Sequence, residues 1–132
     1  MSRLTIAKRI NLKGYLCVGY TLLKVLGAIP TIVLERLICE YYYAYRYGLL
    51  FTDDYCYIDL VELSYHLGFS TDDIEQAVIK LYELGLVDLS KINNHFAVKI
   101  KEDEIVDFEK TAEVENKFKN WDYGLYTMLN ED

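Results

Sequence analysis

The sequence predicts a mainly α-helical protein with one small β-hairpin, an α+β fold, and three observations support this prediction. Apolar residues recur at helical spacing between Pro30 and Gly48. Two short helices, each opened by a capping residue, follow within residues 59–84. An alternating segment then surrounds Asn93–Asn94, a pair typical of a tight turn between strands. With 132 residues, of which 52% are hydrophobic, the chain has the material for one domain core.

Residues 1–28 are interpreted as a basic N-terminal segment, with a short helix predicted at Tyr20–Leu26. Its apolar run is interrupted by Lys24, lacks the cleavage site of a secretory signal and is too short to span a bilayer. We therefore expect a cytoplasmic protein that stays out of the membrane. Four cationic residues of the segment form a basic arm: Arg3, Lys8, Arg9 and Lys13.

The first long helix is predicted between Pro30, which suits a first helical position, and Gly48, which suits the residue just past a helix end. Its apolar stripe has amphipathic spacing and comprises Leu34, Leu37, Ile38, Tyr41, Tyr42 and Tyr45. The stretch YYYAYRYG, residues 41–48, concentrates tyrosines. Such rings are able to stack on nucleobases, yet the helical spacing favours core positions for most of them, with hydroxyls reaching solvent.

Residues 59–84 are predicted to form two helices joined by a short connection. The segment FTDDYCYI, residues 51–58, leads into them and is predicted to hold a short strand at Cys56–Ile58. Two capped helices with a glycine in their connection form a helix-turn-helix pattern. The predicted capping and terminating residues are Asp59 with Glu62, Gly68, Ser70 with Asp73, and Gly85.

The segment LVDLSKINNHFAVKI, residues 86–100, predicts a hairpin that turns at Asn93–Asn94. This turn fixes one register, which gives a mostly apolar face and a second face with an opposite-charge pair. Because this one register places apolar residues on one face and the charged pair on the other, we interpret the hairpin as a wing. The predicted partners are Val87 with Ile100, Leu89 with Val98, Lys91 with Phe96, Ile92 with His95, and Asp88 with Lys99.

Residues 102–132 are predicted to form a C-terminal helical extension, in which Ile105, Phe108 and Ala112 keep helical spacing. We predict that a second apolar stripe pairs two copies into a homodimer. The alternative is that this stripe folds back on the N-terminal segment, where Leu16, Tyr20 and Leu23 also need partners. The stripe consists of Val114, Phe118, Trp121 and Leu125.

Charge is distributed unevenly, with a net charge of +5 over residues 1–50 and −12 over residues 51–132. A basic arm on an acidic body suits one anionic and one cationic partner. The alternative is that the acidic surface only keeps the protein soluble. The three cysteines are odd in number and widely spaced, which indicates reduced thiols, and neither histidine has metal-ligand spacing to them. No metal or cofactor is therefore predicted from Cys17, Cys39, Cys56, His66 and His95.

The stretch from Tyr57 to Ile100 resembles the winged-helix domains of phage and plasmid replication or regulatory proteins, including the N-terminal domain of DnaD-type replication initiators. The residues that carry the resemblance are Leu63, Leu67, Gly68, Ser70, Ile74, Ala77, Leu81, Gly85, Leu86 and Val87. It implies a winged helix-turn-helix domain over residues 29–101 and a role in replication or transcription control inside a bacterial host. It also implies that the second helix of the motif enters the major groove of DNA.

The outward face of that second helix departs from the chemistry that DNA contact favours, since it offers one base-reading residue, Gln76, among carboxylates. Helical phase places Ile74, Ala77, Val78 and Leu81 inside. Acidic residues outnumber the one base over residues 71–84, whereas phosphate contact needs positive charge. The predicted contact residues of this face are Asp72, Gln76, Ile79, Lys80 and Glu83, and those of the wing are Lys91, Asn93, Asn94, Lys99 and Lys101.

Two functions therefore remain open. The resemblance favours a DNA-binding regulatory module of a phage or mobile element, which contacts DNA through its wing or basic arm. The charge favours a protein-binding winged helix that inhibits a host nucleic-acid enzyme by covering its basic surface, as an anti-CRISPR or other counter-defence protein does. An enzyme ranks third, because His66 and His95 have no evident partner nucleophile. We predict a non-enzymatic regulatory protein that acts in nucleic-acid transactions.

Overall fold

A computed structural model of the chain describes residues 20–92 and 95–119. Over these residues the protein is mainly helical, with five helices and one three-stranded antiparallel sheet, so the predicted fold class is confirmed. The elements in chain order are α1 (Tyr20–Leu26), α2 (Ala28–Arg46), a 3₁₀ turn (Thr52–Asp54), β1 (Cys56–Ile58), α3 (Leu60–Leu67), α4 (Thr71–Glu83), β2 (Val87–Ile92), β3 (His95–Ile100) and α5 (Glu102–Lys119).

Helix α2 begins earlier than predicted and ends where predicted. It starts at Ala28, so Pro30 is its third residue rather than its first. Proline is tolerated there because the first four N–H groups of a helix have no intrahelical partner. Gly48 adopts a φ of 69° directly after the cap residue Tyr47, which confirms the predicted end. The buried side of α2 includes Leu34 and Leu37.

The prediction that most tyrosine rings at the end of α2 are core is wrong. Tyr43 is 51% exposed, Tyr45 is 68% exposed and Tyr47 is 61% exposed. Tyr41 and Tyr42 are half-buried. The last buried residue of α2 is Ala44, so the final turn of the helix extends past the core that its earlier turns cover. The tyrosines continue the helical spacing of the apolar stripe, but in this last turn most of their rings are exposed.

The two helices of the helix-turn-helix pattern carry the predicted caps. The Asp59 carboxylate accepts hydrogen bonds from the backbone N–H groups of Val61 and Glu62, at 3.0 and 3.1 Å. The Ser70 hydroxyl accepts one from the Asp73 N–H at 3.0 Å. Both helices end at a glycine with positive φ, at 78° for Gly68 and 77° for Gly85. Each cap satisfies backbone groups that a helix terminus leaves unpaired.

The sheet has the strand order β1–β3–β2, and the hairpin register is as predicted. Val87 faces Ile100, and Asp88 faces Lys99. The short strand β1 also forms, and its antiparallel pairing with β3, in which Tyr57 faces Ala97, adds a third strand to the hairpin. The turn at residues 93–94 lies outside the described residues.

One hydrophobic core joins the helices to the sheet. Leu22 and Leu26 of α1, Leu63 of α3 and Ile105 of α5 are buried in it together with the inner side of α4. Helix α1 packs against both α2 and α5, whereas its residues Tyr20 and Leu23 stay exposed. Within residues 20–92 and 95–119, none of the helices has the length and apolarity that crossing a membrane would require.

Candidate functional site

The outer surface of α4 is the candidate site that the helix-turn-helix pattern singles out. The inner side of the helix is buried as its phase predicts, at Ile74, Ala77, Val78 and Leu81. Exposed residues on the outer side include Lys80 and four residues without positive charge, Asp72, Asp73, Gln76 and Glu83, and these four are called the acidic face. Ile79 was expected on this face but is half-buried, as is Glu75 one turn earlier, because this flank of α4 is partly covered.

The one cation of α4, Lys80, is exposed, and its ammonium is bound to a backbone carbonyl. The Lys80 Nζ donates a hydrogen bond of 3.1 Å to the backbone carbonyl of Leu26, at the C-terminal end of α1. The carbonyl end of a helix carries partial negative charge and has acceptors without intrahelical partners, so it favours a cation. Lys80 therefore stabilises the end of α1, while its position on α4 is beside the acidic face.

Helix α3 adds two exposed apolar side chains that the sequence analysis did not single out. Tyr65 is 85% exposed and Val61 is 71% exposed. They are four residues apart and so lie on the same side of the helix. Leu63 is buried and Leu67 is half-buried, so these two residues mark the inner side of α3. Val61 and Tyr65 do not share their helical spacing, and this is the signal in the sequence that the two side chains are exposed.

Of the three wing lysines predicted for contact, one is exposed and two are half-buried. Lys91 is exposed, and its Nζ lies 5.7 Å from the ring centroid of Phe96, within cation–π range. Lys99 is half-buried and lies directly across from Asp88 in the register, and Lys101 is half-buried. The remaining wing residues predicted for contact, Asn93 and Asn94, are not among the described residues.

Two other predicted sets fall outside the described part of the chain. The basic arm (Arg3, Lys8, Arg9 and Lys13) precedes residue 20, and two members of the predicted dimer stripe, Trp121 and Leu125, follow residue 119. Val114 and Phe118 lie within α5, but their side chains are not described. The arm and the stripe therefore stay predictions.

A polar cluster at the surface links α2 to α3. The Arg36 Nη2 lies 3.2 Å from the Nδ1 of His66 and 3.6 Å from the Oε1 of Glu40. Because arginine is only a donor, this geometry requires the His66 Nδ1 to accept, with the ring proton on Nε2. The Arg36 Nε is buried without a hydrogen-bond partner among the described residues. The cluster joins α2 to α3.

The thiols of Cys39 and Cys56 are buried. Burial raises the pKa of each thiol to about 11, and for Cys39 the nearby Arg36 guanidinium offsets only part of that effect. A thiol with this pKa is protonated at neutral pH and is a poor nucleophile. Among the residues that the structure describes, no group of three or more His, Cys, Asp or Glu side chains is arranged to hold a metal ion.

Exposed aromatic and apolar side chains also lie at the end of α2 and in the segment after it, with Tyr45 on the opposite side of the helix from Tyr43 and Tyr47. This group is called the tyrosine patch. It consists of Tyr43, Tyr45, Tyr47, Leu49 and Phe51, each of which is exposed. The sequence analysis placed most of the tyrosine rings of this region in the core. Arg46, which stands between two of the rings, is the signal that this turn of the helix faces water.

The sequence matches no protein-family model, and it matches neither a curated protein nor a solved structure. The resemblance of residues 57–100 to winged-helix domains therefore stays a prediction. A fold of this kind hosts unrelated functions, so the function is argued from the chemistry of the two exposed surfaces.

Proposed function

We propose that this protein is a non-enzymatic regulator of nucleic-acid transactions that binds a basic protein surface through the acidic face of α4. The observation that carries the proposal is the hydrogen bond from Lys80 to the Leu26 carbonyl. This bond engages the ammonium of Lys80, the one cation of α4, and three carboxylates, those of Asp72, Asp73 and Glu83, are exposed on the same helix.

Electrostatics oppose the placement of α4 in a DNA groove. Two unit charges about 4 Å apart interact by about 1 kcal/mol in water, and by more as water is excluded. DNA binders gain affinity by neutralising phosphates and releasing counterions. Each carboxylate of the acidic face would instead add repulsion at the phosphate backbone, whereas the same carboxylates would attract a surface rich in Lys and Arg.

The partner that fits this chemistry is a nucleic-acid enzyme of the host, whose substrate channel is basic. An acidic protein seated on such a channel excludes DNA or RNA and so inhibits the enzyme. The winged-helix resemblance adds that the protein comes from a phage or mobile element and acts in the bacterial cytoplasm. The buried thiols of Cys39 and Cys56 support a reducing compartment, since disulfides are rare there.

Direct DNA binding is the second candidate function, and the wing favours it. Lys91, Lys99 and Lys101 all lie on or beside β3 and β2, and lysines on a wing are able to contact phosphates without sequence readout. The basic arm adds four further cations in the sequence. In this case α4 would face away from the duplex.

We also propose that the protein is a homodimer, for which the sequence predicts the stripe of Val114, Phe118, Trp121 and Leu125 as the interface. Burial raises the pKa of the Cys39 and Cys56 thiols to about 11, which makes them poor nucleophiles at neutral pH and fits a non-enzymatic role. Its activity would then depend on contacts and not on chemistry.

The test is co-purification of the tagged protein from host cells, with and without nuclease treatment, followed by identification of what stays bound. We expect to recover a basic nucleic-acid-binding protein that stays bound after nuclease treatment and is displaced by added DNA. The double variant Asp72→Lys and Glu83→Lys should lose it. The control variant Asp107→Lys and Glu113→Lys changes the same charge at exposed positions of α5 and should retain it. Recovery of nucleic acid alone, lost after nuclease, would support the second candidate instead.

A further inference from the structure

The outer side of α3 carries an exposed aromatic ring with a carboxylate beside it. At about 100° per residue, Tyr65 lies between Val61 and Glu62 around the helix, and all three residues are exposed. Val61 precedes Tyr65 by four residues and Glu62 precedes it by three, which are the spacings at which side chains of one helix meet. Val61, Glu62 and Tyr65 therefore form one surface, which is called the α3 face.

The ring of Tyr65 lies beside an imidazole that is held from α2. The ring centroids of Tyr65 and His66 are 5.6 Å apart, and the His66 Nδ1 is 3.2 Å from the Arg36 Nη2. Because the two rings are tilted by 57°, His66 does not cover Tyr65, which is 85% exposed. A side chain that is already ordered loses less entropy when a partner covers it. The Tyr65 ring is thus supported on one side and open to a ligand on the other.

The charge of the chain around the α3 face is of one sign. Between Arg46 and Lys80 the sequence has neither Lys nor Arg. Arg36, the cation that bonds to His66, lies 3.6 Å from the Glu40 carboxylate, and an imidazole that accepts at Nδ1 with its one proton on Nε2 is neutral. The α3 face therefore suits a positively charged ligand. The same stretch contains seven acidic residues, Asp53, Asp54, Asp59, Glu62, Asp72, Asp73 and Glu75.

We propose that the α3 face binds an arginine side chain on the surface of the basic protein partner. The guanidinium is planar, so it stacks on an aromatic ring and bonds a carboxylate through parallel N–H groups. Tyr65 offers the ring, Glu62 offers the carboxylate, and Val61 offers apolar area to the methylene stem of the arginine. Lysine fits less well, because its ammonium is a compact and strongly hydrated charge. A phosphate would be repelled by Glu62.

This inference rests on the proposed function, since the arginine belongs to the same basic partner, and it adds α3 to the contact made by α4. The probe is a fluorescently labelled oligoarginine peptide, with an oligolysine peptide of equal length for comparison. Fluorescence anisotropy with the full chain at physiological salt measures both dissociation constants. We expect the wild type to bind oligoarginine more tightly than oligolysine, because arginine gains more from an aromatic ring.

Variants of Tyr65 separate the ring from the apolar area. Tyr65→Leu keeps an apolar side chain without the ring, and it should raise the dissociation constant of oligoarginine roughly two- to fivefold, with a smaller effect on oligolysine. Tyr65→Phe keeps the ring and should retain the wild-type preference. Glu62→Gln removes the charge with little change of shape and should weaken the binding of both peptides.

The matched control is Tyr45→Leu, which makes the same change at a 68% exposed tyrosine of α2. Tyr45 is followed by Arg46 and has no carboxylate three or four residues away on its helix. This variant should leave both dissociation constants unchanged. Circular dichroism melts of every variant show that a loss of binding is not a loss of fold.

The outcomes separate this inference from the acidic-face proposal. An unchanged oligoarginine dissociation constant in Tyr65→Leu overturns the α3 face, as does an equal rise in Tyr45→Leu or a wild type without preference for oligoarginine. If the double variant Asp72→Lys and Glu83→Lys binds oligoarginine like the control Asp107→Lys and Glu113→Lys while Tyr65→Leu binds it more weakly, the α3 face is supported and the acidic face is overturned. The reverse result supports the acidic face and overturns the α3 face.

Discussion

The acidic face of α4 and the tyrosine patch at the end of α2 are both exposed, yet their chemistry suits different partners. The acidic face has carboxylates of one sign on a helix whose cation, Lys80, is bound to the α1 carbonyl end. The tyrosine patch has exposed aromatic rings, of which those of Tyr43 and Tyr47 are 4.8 Å apart. A surface of one sign selects an oppositely charged partner, whereas aromatic rings offer apolar area together with a polar tip.

The comparison depends first on which side of α4 is the inside. Leu81 is fully buried and Glu83 is exposed, although they are two residues apart. We expect Leu81→Asp to lower the free energy of unfolding by roughly 3 kcal/mol or more, because it buries an unpaired carboxylate. Glu83→Lys should change it by less than about 0.5 kcal/mol. Thermal melts followed by circular dichroism measure both, and equal damage from the two variants would mean that the helix phase is wrong.

The core thiols predict a pH dependence to which the exposed surfaces do not contribute. The pKa of Cys39 and of Cys56 rises from 9.0 to about 11 in the folded protein. Between these values the unfolded state releases protons that the folded state keeps, so stability is full below pH 9 and falls as the pH rises towards 11. Urea melts across this range should show the fall, and the variant Cys39→Ala with Cys56→Ala should show less of it. An equal fall in that variant would assign the effect to other groups.

Lys80 of α4 donates a hydrogen bond to the C-terminal end of α1, so its replacement tests whether this bond stabilises α1. We expect Lys80→Met to lower the free energy of unfolding by about 1 kcal/mol, because the Leu26 carbonyl loses a charged donor while part of the stem packing is kept. Hydrogen exchange should show the amides of α1 opening more often, and exchange elsewhere should change less. The variant Lys91→Met, at an exposed lysine of the wing, is the control. If α1 is equally protected in both variants, the bond from Lys80 does not hold α1 in place.

Binding to random duplex DNA is the smallest effect that we expect. At physiological salt the dissociation constant should be larger than roughly 10⁻⁵ M, which is within the non-specific range. The affinity should fall steeply as salt is added. Fluorescence anisotropy with a labelled duplex measures it. The residual binding should decrease with Lys91→Ala and with changes in the basic arm, and it should not respond to Gln76→Ala. Tight, sequence-specific binding that is lost on Gln76→Ala would restore α4 as the reading helix and end the contrast between the two surfaces.

Local features of the fold were predictable from sequence because their physics is local. Asp59 and Ser70 cap helices through hydrogen bonds to backbone within three residues of themselves. The hairpin register, with Val87 opposite Ile100, follows once the turn is placed and the alternation of faces is read. For the candidate site, the phase of α4 likewise placed Asp72, Gln76 and Glu83 outside.

The sequence by itself thus determined the capped helices, the inner side of α4 and the pairing within the hairpin, since period and capping chemistry depend on neighbours in the chain. Only the tertiary structure decided which residues distant in sequence meet. It brought Lys80 to the carbonyl of Leu26, 54 residues away, and β1 to β3. It also exposed the last turn of α2, because a helical stripe is buried only where another element covers it, and the stripe carries no information about where that cover ends.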